Sequence, residues 1–392
     1  MSESYSGGTP SVSVKEYYGG QIPFIRSAEI NSEITELFLT EEGLKNSSAR
    51  LVAVGDILYA LYGATSGEVG RARLKGAINQ AILVIKPHTG YDSEYLAQWL
   101  RKSKHSIIET YLQGGQGNLS GTIVKELSVD FPSLKEQQVI GDFFRQLDNL
   151  IALHQRKFEK LTNVKKSMLE KMFPQNGSSY PEIRFKGFTD PWEQRKLGEV
   201  LISLQNNTLS RADLSSEEGI AKNIHYGDIL VKFGEVIDVK TESLPMISDE
   251  TVIAKYKSSF LQNGDVIVAD TAEDETVGKC TEIAGLSDEI VISGLHTIPY
   301  RPLQKYAPGY LGYYMNSASF HNQLLPLMQG IKVTSISKTA LQNTDILYPK
   351  SATEQAAIGT YLRNLDNLIT LHQRELEKLQ NIKKSMLEKM FV

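Results

Sequence analysis

Residues 59–80, YALYGATSGEVGRARLKGAINQ, gather small hydroxyls, two arginines, a lysine and two amides into one glycine-broken stretch. Its candidate contacting side chains are Tyr62, Ser66, Arg71, Arg73, Lys75, Asn79 and Gln80. In a DNA major groove arginine pairs with guanine, asparagine or glutamine with adenine, and lysine sits on phosphate. A second stretch, 113–125, adds Gln113, Gln116, Asn118, Thr122 and Lys125. Farther along, Gln329, Lys332, Thr334, Ser335 and Lys338 form a comparable set, and Lys279 closes an acidic run that begins at Asp270. For each of these residues a plain solvated loop is the competing reading. Arg101-Lys102-Ser103-Lys104-His105 is the densest basic run and suits phosphate or a solvated helix face equally.

Other chemistries lack their residues. The sequence has no G-x-x-x-x-G-K-[ST] phosphate loop, and Gly114-Gly115-Gln116-Gly117 has the wrong spacing for a dinucleotide fingerprint. There is no Asn-Pro-Pro-aromatic or Asp-Pro-Pro-aromatic run of the kind amino-methyltransferases carry. Asp270, Glu273, Asp274 and Glu275 faintly resemble a metal-dependent nuclease cluster, against which stands a solvated acidic loop. A single cysteine, Cys280, excludes an internal disulfide and a multi-cysteine zinc site, and reads as a small buried hydrophobe. No apolar run is long enough for a bilayer, so a cytoplasmic location and no membrane partner are expected. Net charge is −4, awkward for a nucleic-acid binder; 134–173 and 354–392 are net basic, 1–133 and 174–353 net acidic. Any basic surface must therefore be local or be supplied by a partner.

The elements that position these loops follow from an internal repeat. Residues 136–173 and 354–391 align without gaps and agree at 27 of 38 positions, too many for chance. Both copies lack proline and are rich in helix formers. Leu147, Ile151, His154, Phe158, Leu161, Lys165, Met168 and Met172 alternate spacings of four and three, as a coiled-coil seam does. Leu365, Ile369, His372, Leu376, Leu379, Lys383, Met386 and Met390 repeat it. Two such helices most simply bury their stripes against each other. His154 and His372 are expected to form a hydrogen-bonded polar layer, with a metal or pH switch as the alternative. Lys165 and Lys383 are expected to snorkel outward. At ~1.5 Å per residue each rod is roughly 55 Å long, about sixteen base pairs of duplex, which suits a ruler between two heads.

The order is head, rod, head, rod, with divisions at 1–133, 134–173, 174–353 and 354–392. The heads share faint echoes: Val54-Gly55-Asp56-Ile57-Leu58 with Asn263-Gly264-Asp265-Val266-Ile267, a turn into a buried strand, and Tyr95-Leu96 with Tyr310-Leu311, opening an amphipathic helix. Strands and helices mixed within each head give an α+β class. A duplicated scaffold with divergent heads suggests two different targets and two identical partners.

With these features in place, the chain resembles specificity subunits of type I restriction–modification systems. The resemblance rests on Trp192 through Glu199 (WEQRKLGE), Asn207 through Leu214 (NTLSRADL), Ile224 through Ile229 (IHYGDI), Ser6-Gly7-Gly8-Thr9-Pro10 and Tyr17 through Pro23 (YYGGQIP), and Phe131 through Gln137 with its partner at 348–355. It covers essentially the whole chain. It implies two target-recognition domains of mixed α/β structure, separated by two long helices in an antiparallel coiled coil with pseudo-twofold symmetry. Each head would read half of a split double-stranded DNA site, and the rods would dock two modification subunits. No cofactor or catalytic centre would lie in this chain: S-adenosylmethionine would belong to the modification subunits, ATP and Mg to partner subunits, and translocation and cutting to restriction subunits. The second head is preceded by Tyr180-Pro181-Glu182-Ile183-Arg184-Phe185 through Trp192, whereas the first opens almost at once at Ser6, so it is expected to lack that support. Two other readings remain open on the residues alone: a protein-binding scaffold and a self-sufficient nuclease.

The ruler reading makes a prediction. One heptad added to either long helix, about 10 Å of rod, should lengthen the recognised spacer by a few base pairs. Methylation mapping checks it, and an unchanged spacer refutes the ruler.

Overall fold

The two repeat copies form the two longest helices, Leu134–Lys171 and Ala352–Met390, in a computed structural model that describes residues 1–111, 118–175 and 177–391. The chain divides into two compact units, one of Met1–Gln155 with Gln373–Val392, the other of Arg156–His372. The division falls inside both rods rather than at their ends. Each unit thus owns one head, the first half of one rod and the second half of the other.

In the first unit Phe391 packs on Phe144, ring centroids 5.8 Å apart, and Lys383 reaches Asp148 at 2.5 Å. Going forward from Phe144 to Asp148 means going back from Phe391 to Lys383, so the helices run antiparallel. In the second unit Lys165 contacts Asp366 at 2.6 Å, and Leu161, Val164 and Met168 pack on a core that includes Ile358, Leu362 and Leu365. Asp366 and Lys383 are the repeat counterparts of Asp148 and Lys165, so the two ion pairs are one interaction with its partners exchanged. The seam positions Ile151, His154, Phe158, Leu376, Leu379 and Met386 are half-buried, with Leu147 and Leu365 buried.

The seam lysines correct an expectation. They do not snorkel to solvent; both turn onto the opposite rod because an aspartate waits there. Asp148 also accepts from Gln98 Nε2 at 3.1 Å, and Asp366 accepts from the Tyr313 hydroxyl at 2.6 Å. Lys165 further holds Glu235 at 2.6 Å. Burial opposes its charge, but Glu235 and Asp366 outweigh that and raise its pKa.

Where each rod begins, identical residues make identical bonds to different heads. Gln137, 2 % exposed, donates to the Pro132 carbonyl at 2.8 Å and accepts from the Asp92 N–H at 2.9 Å. Gln355 donates to the Pro349 carbonyl at 2.8 Å and accepts from the Ala307 N–H at 3.0 Å. One helical turn later Gly141 and Gly359 let the head approach: a Cβ would lie 2.6 Å from Asp92 Oδ1 or 3.0 Å from the Pro308 carbonyl oxygen. Tyr95 and Tyr310 then donate to the carbonyls of Asp130 and Leu347, each at 3.2 Å.

The heads, so unlike in sequence, share their strand order. Ser2–Ser6, Ile82–Pro87, Ile57–Ala60 and Val69–Arg71 form one antiparallel sheet of the first head. Leu201–Ser203, Thr297–Pro302, Val266–Ala269 and Cys280–Ala284 form the same sheet in the second, where Val236–Asp238 joins in parallel. A second sheet sets Tyr18–Ile25 antiparallel to Phe38–Leu39 and parallel to Gly76–Ile78. Its counterpart sets Ala221–Ile224 antiparallel to Met246–Ile247 and parallel to Ile290–Ser293. Runs such as Ile57-Leu58-Tyr59-Ala60 and Val266-Ile267-Val268-Ala269 are buried on both faces because helix residues pack on one face and strands of the second sheet on the other. The expected α+β class with two long antiparallel helices is what the structure has. Among the described residues no helix is long and apolar enough to cross a membrane.

Two predictions follow from this framework. Gln137→Ala and Gln355→Ala each remove the side-chain partner of two backbone groups, part-buried at Gln137 and buried at Gln355, and should cost about 1–3 kcal/mol, more at Gln355, read from denaturant midpoints; a cost near zero at both would show that the bonds are dispensable. Glu282, 3 % exposed, accepts the N–H groups of Gly309 at 2.6 Å and Gly312 at 2.9 Å, yet burial pushes its pKa up to about 7. The folded protein therefore keeps this proton to higher pH than the unfolded chain, and stability falls as pH rises from about 4.5 to about 7. Glu282→Gln should flatten that part of the stability profile; an unaltered slope would place the titration elsewhere.

Candidate nucleic-acid interface

At one end of each head three loops meet, held by matching backbone bonds. In the first head Leu61 N–H donates to the Ala81 carbonyl and Leu119 N–H to the Leu61 carbonyl, both at 2.8 Å. In the second, Asp270 N–H donates to His296 at 3.1 Å and Ile336 N–H to Asp270 at 2.9 Å. The loops are thus a hairpin turn (61–68 or 270–279), a strand approach (79–81 or 294–296) and a loop before a short helix (118–120 or 329–337). Those helices, Gly121–Lys125 and Lys338–Gln342, are capped alike: Ser120 Oγ accepts from Ile123 N–H at 3.2 Å and Ser337 Oγ from Ala340 N–H at 3.1 Å.

This tip collects some of the candidate residues and not others. Tyr62 is exposed there, beside Asn79, Gln80 and Asn118. Asn118 Oδ1 accepts from Gly63 N–H at 3.4 Å, and Gln80 Oε1 accepts from the Thr9 hydroxyl at 2.6 Å. Ser66 is 6 % exposed and donates to the Leu61 carbonyl at 3.0 Å, shaping the turn. Arg71, Arg73 and Lys75 are contiguous with these residues in sequence but not in space. Val69–Arg71 runs back along Ile57–Tyr59 and carries them to the far end of the hairpin. There Arg71 donates to Ser93 Oγ at 2.9 Å, and Arg73 pairs with Glu33 at 2.6 Å. Arg71 is the positional counterpart of Glu282; both sit under the start of the helix that meets the rods. Lys75, Thr122 and Lys125 are exposed, with Lys125 beside Met1. Gln113 and Gln116 lie outside the described residues. In the basic run, Arg101 turns to Asp148 and Lys104 to Glu68, leaving Lys102 and His105 exposed.

In the second head Thr271 and Ala272 pair with Ser335 and Thr334, and Gln329 bridges to Ser335, so the 329–335 loop stands against the 270–272 turn. Gln329, Lys332, Ser335 and Lys338 are exposed, and Thr334 is half-buried. Lys279 instead points inward and donates to the Leu230 carbonyl at 2.9 Å. The acidic run has local employment. Asp274 Oδ1 accepts from Thr276 N–H at 2.9 Å, and Asp270 Oδ1 lies 3.4 Å from His296 Nδ1. Among the described residues no group of three or more His, Cys, Asp or Glu is placed to hold a metal ion.

Sequence reasoning missed the rest of this tip. A groove of about 540 Å³ runs between Gln205, Asn206, Asp270, Thr297 and Lys338. The three consecutive amides Gln205-Asn206-Asn207 were its available signal. Asn207, fully buried, donates to Asn223 Oδ1 at 2.6 Å and to the Ser293 carbonyl at 3.0 Å, locking the segment to the second sheet. His296 has φ 54°, the only described non-glycine residue with positive φ, and its ring meets Tyr226 edge-on. Burial, with Arg211 nearby, lowers the pKa of His225, whose Nδ1 accepts from Gly227 N–H at 3.2 Å. Ile331 is fully exposed between Gly330 and Lys332 at the loop's apex.

Comparison with known proteins agrees with this architecture. The family model described as type I restriction modification DNA specificity domain matches residues 1–163 and again 189–381, once for each head with much of its rod. The MjaVIII type I restriction enzyme specificity subunit of Methanocaldococcus jannaschii is 24 % identical over 389 residues, covering 97 % of this chain and 88 % of the relative. The MjaIX specificity subunit of the same organism is 30 % identical over 215 residues, 51 % of this chain and 50 % of the relative. The crystal structure of the type I restriction–modification S subunit from M. genitalium superposes with a TM-score of 0.57 at 14 % identity, covering all of this chain and 94 % of that one, a likeness of fold. With a family model matched in two copies along most of its length, this chain belongs to the type I restriction–modification DNA-specificity family.

Proposed function

We propose that each head's tip reads one half of a split DNA site, and that the two halves differ in sequence. The observation that supports this most directly is the contrast between framework and tip. The rods, the clasping glutamines and the backbone bonds that gather the three loops are duplicated, whereas the side chains those loops present are not. Tyr62, Asn79, Gln80 and Asn118 face one half-site; Asn206, His296, Gln329, Lys332, Ser335 and Lys338 face the other. Lysines take phosphates, and amides and hydroxyls take base edges. Ile331 offers an apolar contact of the kind a thymine methyl accepts.

In this reading the rods present the same surface twice and dock two modification subunits in the cytoplasm. Adenine methylation, with its S-adenosylmethionine, belongs to those subunits, and ATP- and Mg-dependent translocation and cutting belong to restriction subunits. The chain itself recognises and does not catalyse. The net acidic heads fit a protein whose partners supply much of the phosphate-binding surface.

The test is adenine methylation mapped genome-wide in cells that express the chain with its cognate modification subunit. A new bipartite motif is expected. Ser335→Ala with Gln329→Ala should weaken or relax the half-site read by the second head, about tenfold or more per lost base contact, and leave the other half-site sharp. Equal loss at both halves, or no motif when the modification subunit is bound, would defeat the assignment of tips to half-sites.

A further inference from the structure

One side chain at the second tip is held in a way that has no equivalent at the first. Asp270 N–H bonds to the His296 carbonyl where Leu61 N–H bonds to that of Ala81, so an aspartate and a histidine stand in the places of a leucine and an alanine. His296 is left-handed at φ 54°, a conformation that strains any residue with a side chain and persists only where the surroundings hold it. Its neighbours are pinned accordingly. Gly294 N–H donates to the Ile224 carbonyl at 2.8 Å, and the Gly294 carbonyl accepts from Asn206 Nδ2 at 3.1 Å. Tyr226 meets the ring edge-on with centroids 5.2 Å apart, yet the His296 side chain stays 47 % exposed.

The surroundings also fix which ring nitrogen carries a proton. Thr271 Oγ1 donates to Asp270 Oδ1 at 2.8 Å, so towards His296 Nδ1, 3.4 Å away, that hydroxyl presents a lone pair. Asp270 Oδ1 lies 3.4 Å from the same nitrogen and, as a carboxylate, can only accept. Nδ1 is therefore N–H in both charge states, and Nε2 is the atom that gains or loses a proton. Among the described residues Nε2 has no hydrogen-bond partner. The other titratable groups around the ring are Tyr226 and, beside it, His225, with Arg211 and Asp228 behind; Lys338 lines the same groove as Asp270. Burial and then Arg211 lower the pKa of His225, and charge on His296 adds to that, so His225 stays neutral while its Nδ1 accepts from Gly227 N–H. Of the two histidines, His296 is the one placed to carry charge at the surface.

We propose that His296 Nε2 donates, as the imidazolium, to the N7 edge of a guanine in the half-site read by the second head, so that this half-site alone is bound more tightly at low pH. The inference deepens the reading of the tips as DNA-reading surfaces and rests on it. Neutral, Nε2 offers a lone pair that guanine N7 and O6 repel; protonated, it is a donor that fits them. Guanine sets two acceptors side by side, whereas adenine places a donor next to its N7, which a cation disfavours. Asp270 balances the imidazolium on one side, and the negative potential of the duplex attracts it on the other. Binding then takes up a proton, and affinity falls as pH rises through the range in which histidine discharges. The first tip, with Leu61 and Ala81 in these places, has no such dependence.

The test uses the full chain in complex with its modification subunit and a fluorescein-labelled duplex carrying the bipartite motif that methylation mapping yields. Dissociation constants are measured by anisotropy from about pH 6 to about pH 8.5. The wild-type Kd should rise about tenfold over that range relative to His296→Gly, which accepts the left-handed backbone without strain and removes the ring. Asp270→Asn, which keeps the backbone bond and removes the counter-charge, should flatten the profile as well. Each guanine of the second half-site is then replaced in turn by 7-deazaguanine, which lacks the N7 acceptor. One replacement should erase the difference between wild type and His296→Gly at low pH, and none in the first half-site should. Identical pH profiles for wild type and His296→Gly overturn the proposal. So does an affinity that rises with pH, which would make Nε2 an acceptor, or a second half-site with no guanine whose N7 matters. Tight binding of the split site with any of these outcomes defeats this inference alone. A complex that binds the split site no better than an unrelated duplex defeats the DNA reading of the tips, and this inference with it.

Discussion

Neither long helix can bury its apolar stripe alone, and everything else in the structure is arranged around the way each covers the other. Because the helices are copies of one sequence and run antiparallel, a favourable contact made once is made twice. Asp148 with Lys383 and Lys165 with Asp366 are the clearest instance. A charged pair at a seam contributes little net stability once desolvation is counted, but it penalises any sliding of one helix along the other, which would bring an unpaired charge against apolar neighbours. The pairs therefore act mainly on register. That register decides which half of each rod belongs to which head.

The heads are attached to the rods by bonds that do not depend on head sequence. Gln137 and Gln355 recognise backbone groups only: a carbonyl near the end of the head and an N–H near the start of its helix. Gly141 and Gly359 supply room for the same approach. A head can consequently change nearly all its side chains and still be clasped, provided its backbone follows the same path. This frees the tips to diverge. It also explains how Arg71 and Glu282, opposite in charge, occupy equivalent places: one meets a serine and a glutamate at its helix start, the other meets bare N–H groups there.

The heads are not equally supported. Around the second, the segment from Arg184 to Leu197 adds a buried carboxylate–guanidinium contact, a strand pair and apolar contacts with Phe173, Trp192, Tyr310 and Tyr314 at their centre. In the first head, on the same framework, the counterpart positions Glu136 and Phe143 are exposed. The asymmetry lies in what covers the common fold.

The duplication, the two long helices, the seam positions and the expectation of two similar heads were legible along the chain, because a gapless repeat and a four-three spacing are local and periodic. The sequence also pointed to the family through several short runs. It did not determine how the loops assemble. Arg71, Arg73 and Lys75 stand next to Tyr62 and Asn79 along the chain, yet a strand of alternating direction carries them to the other end of a hairpin. Asn206 and His296 are remote from Ser335 in sequence, and backbone hydrogen bonds bring them to one tip. The seam lysines were visible as lysines, but only the opposing helix could reveal the aspartates that hold them inward. Periodicity is written along one dimension, and it fixes elements; a recognition surface is chosen by which strand ends and turns meet, and that follows from packing in three dimensions.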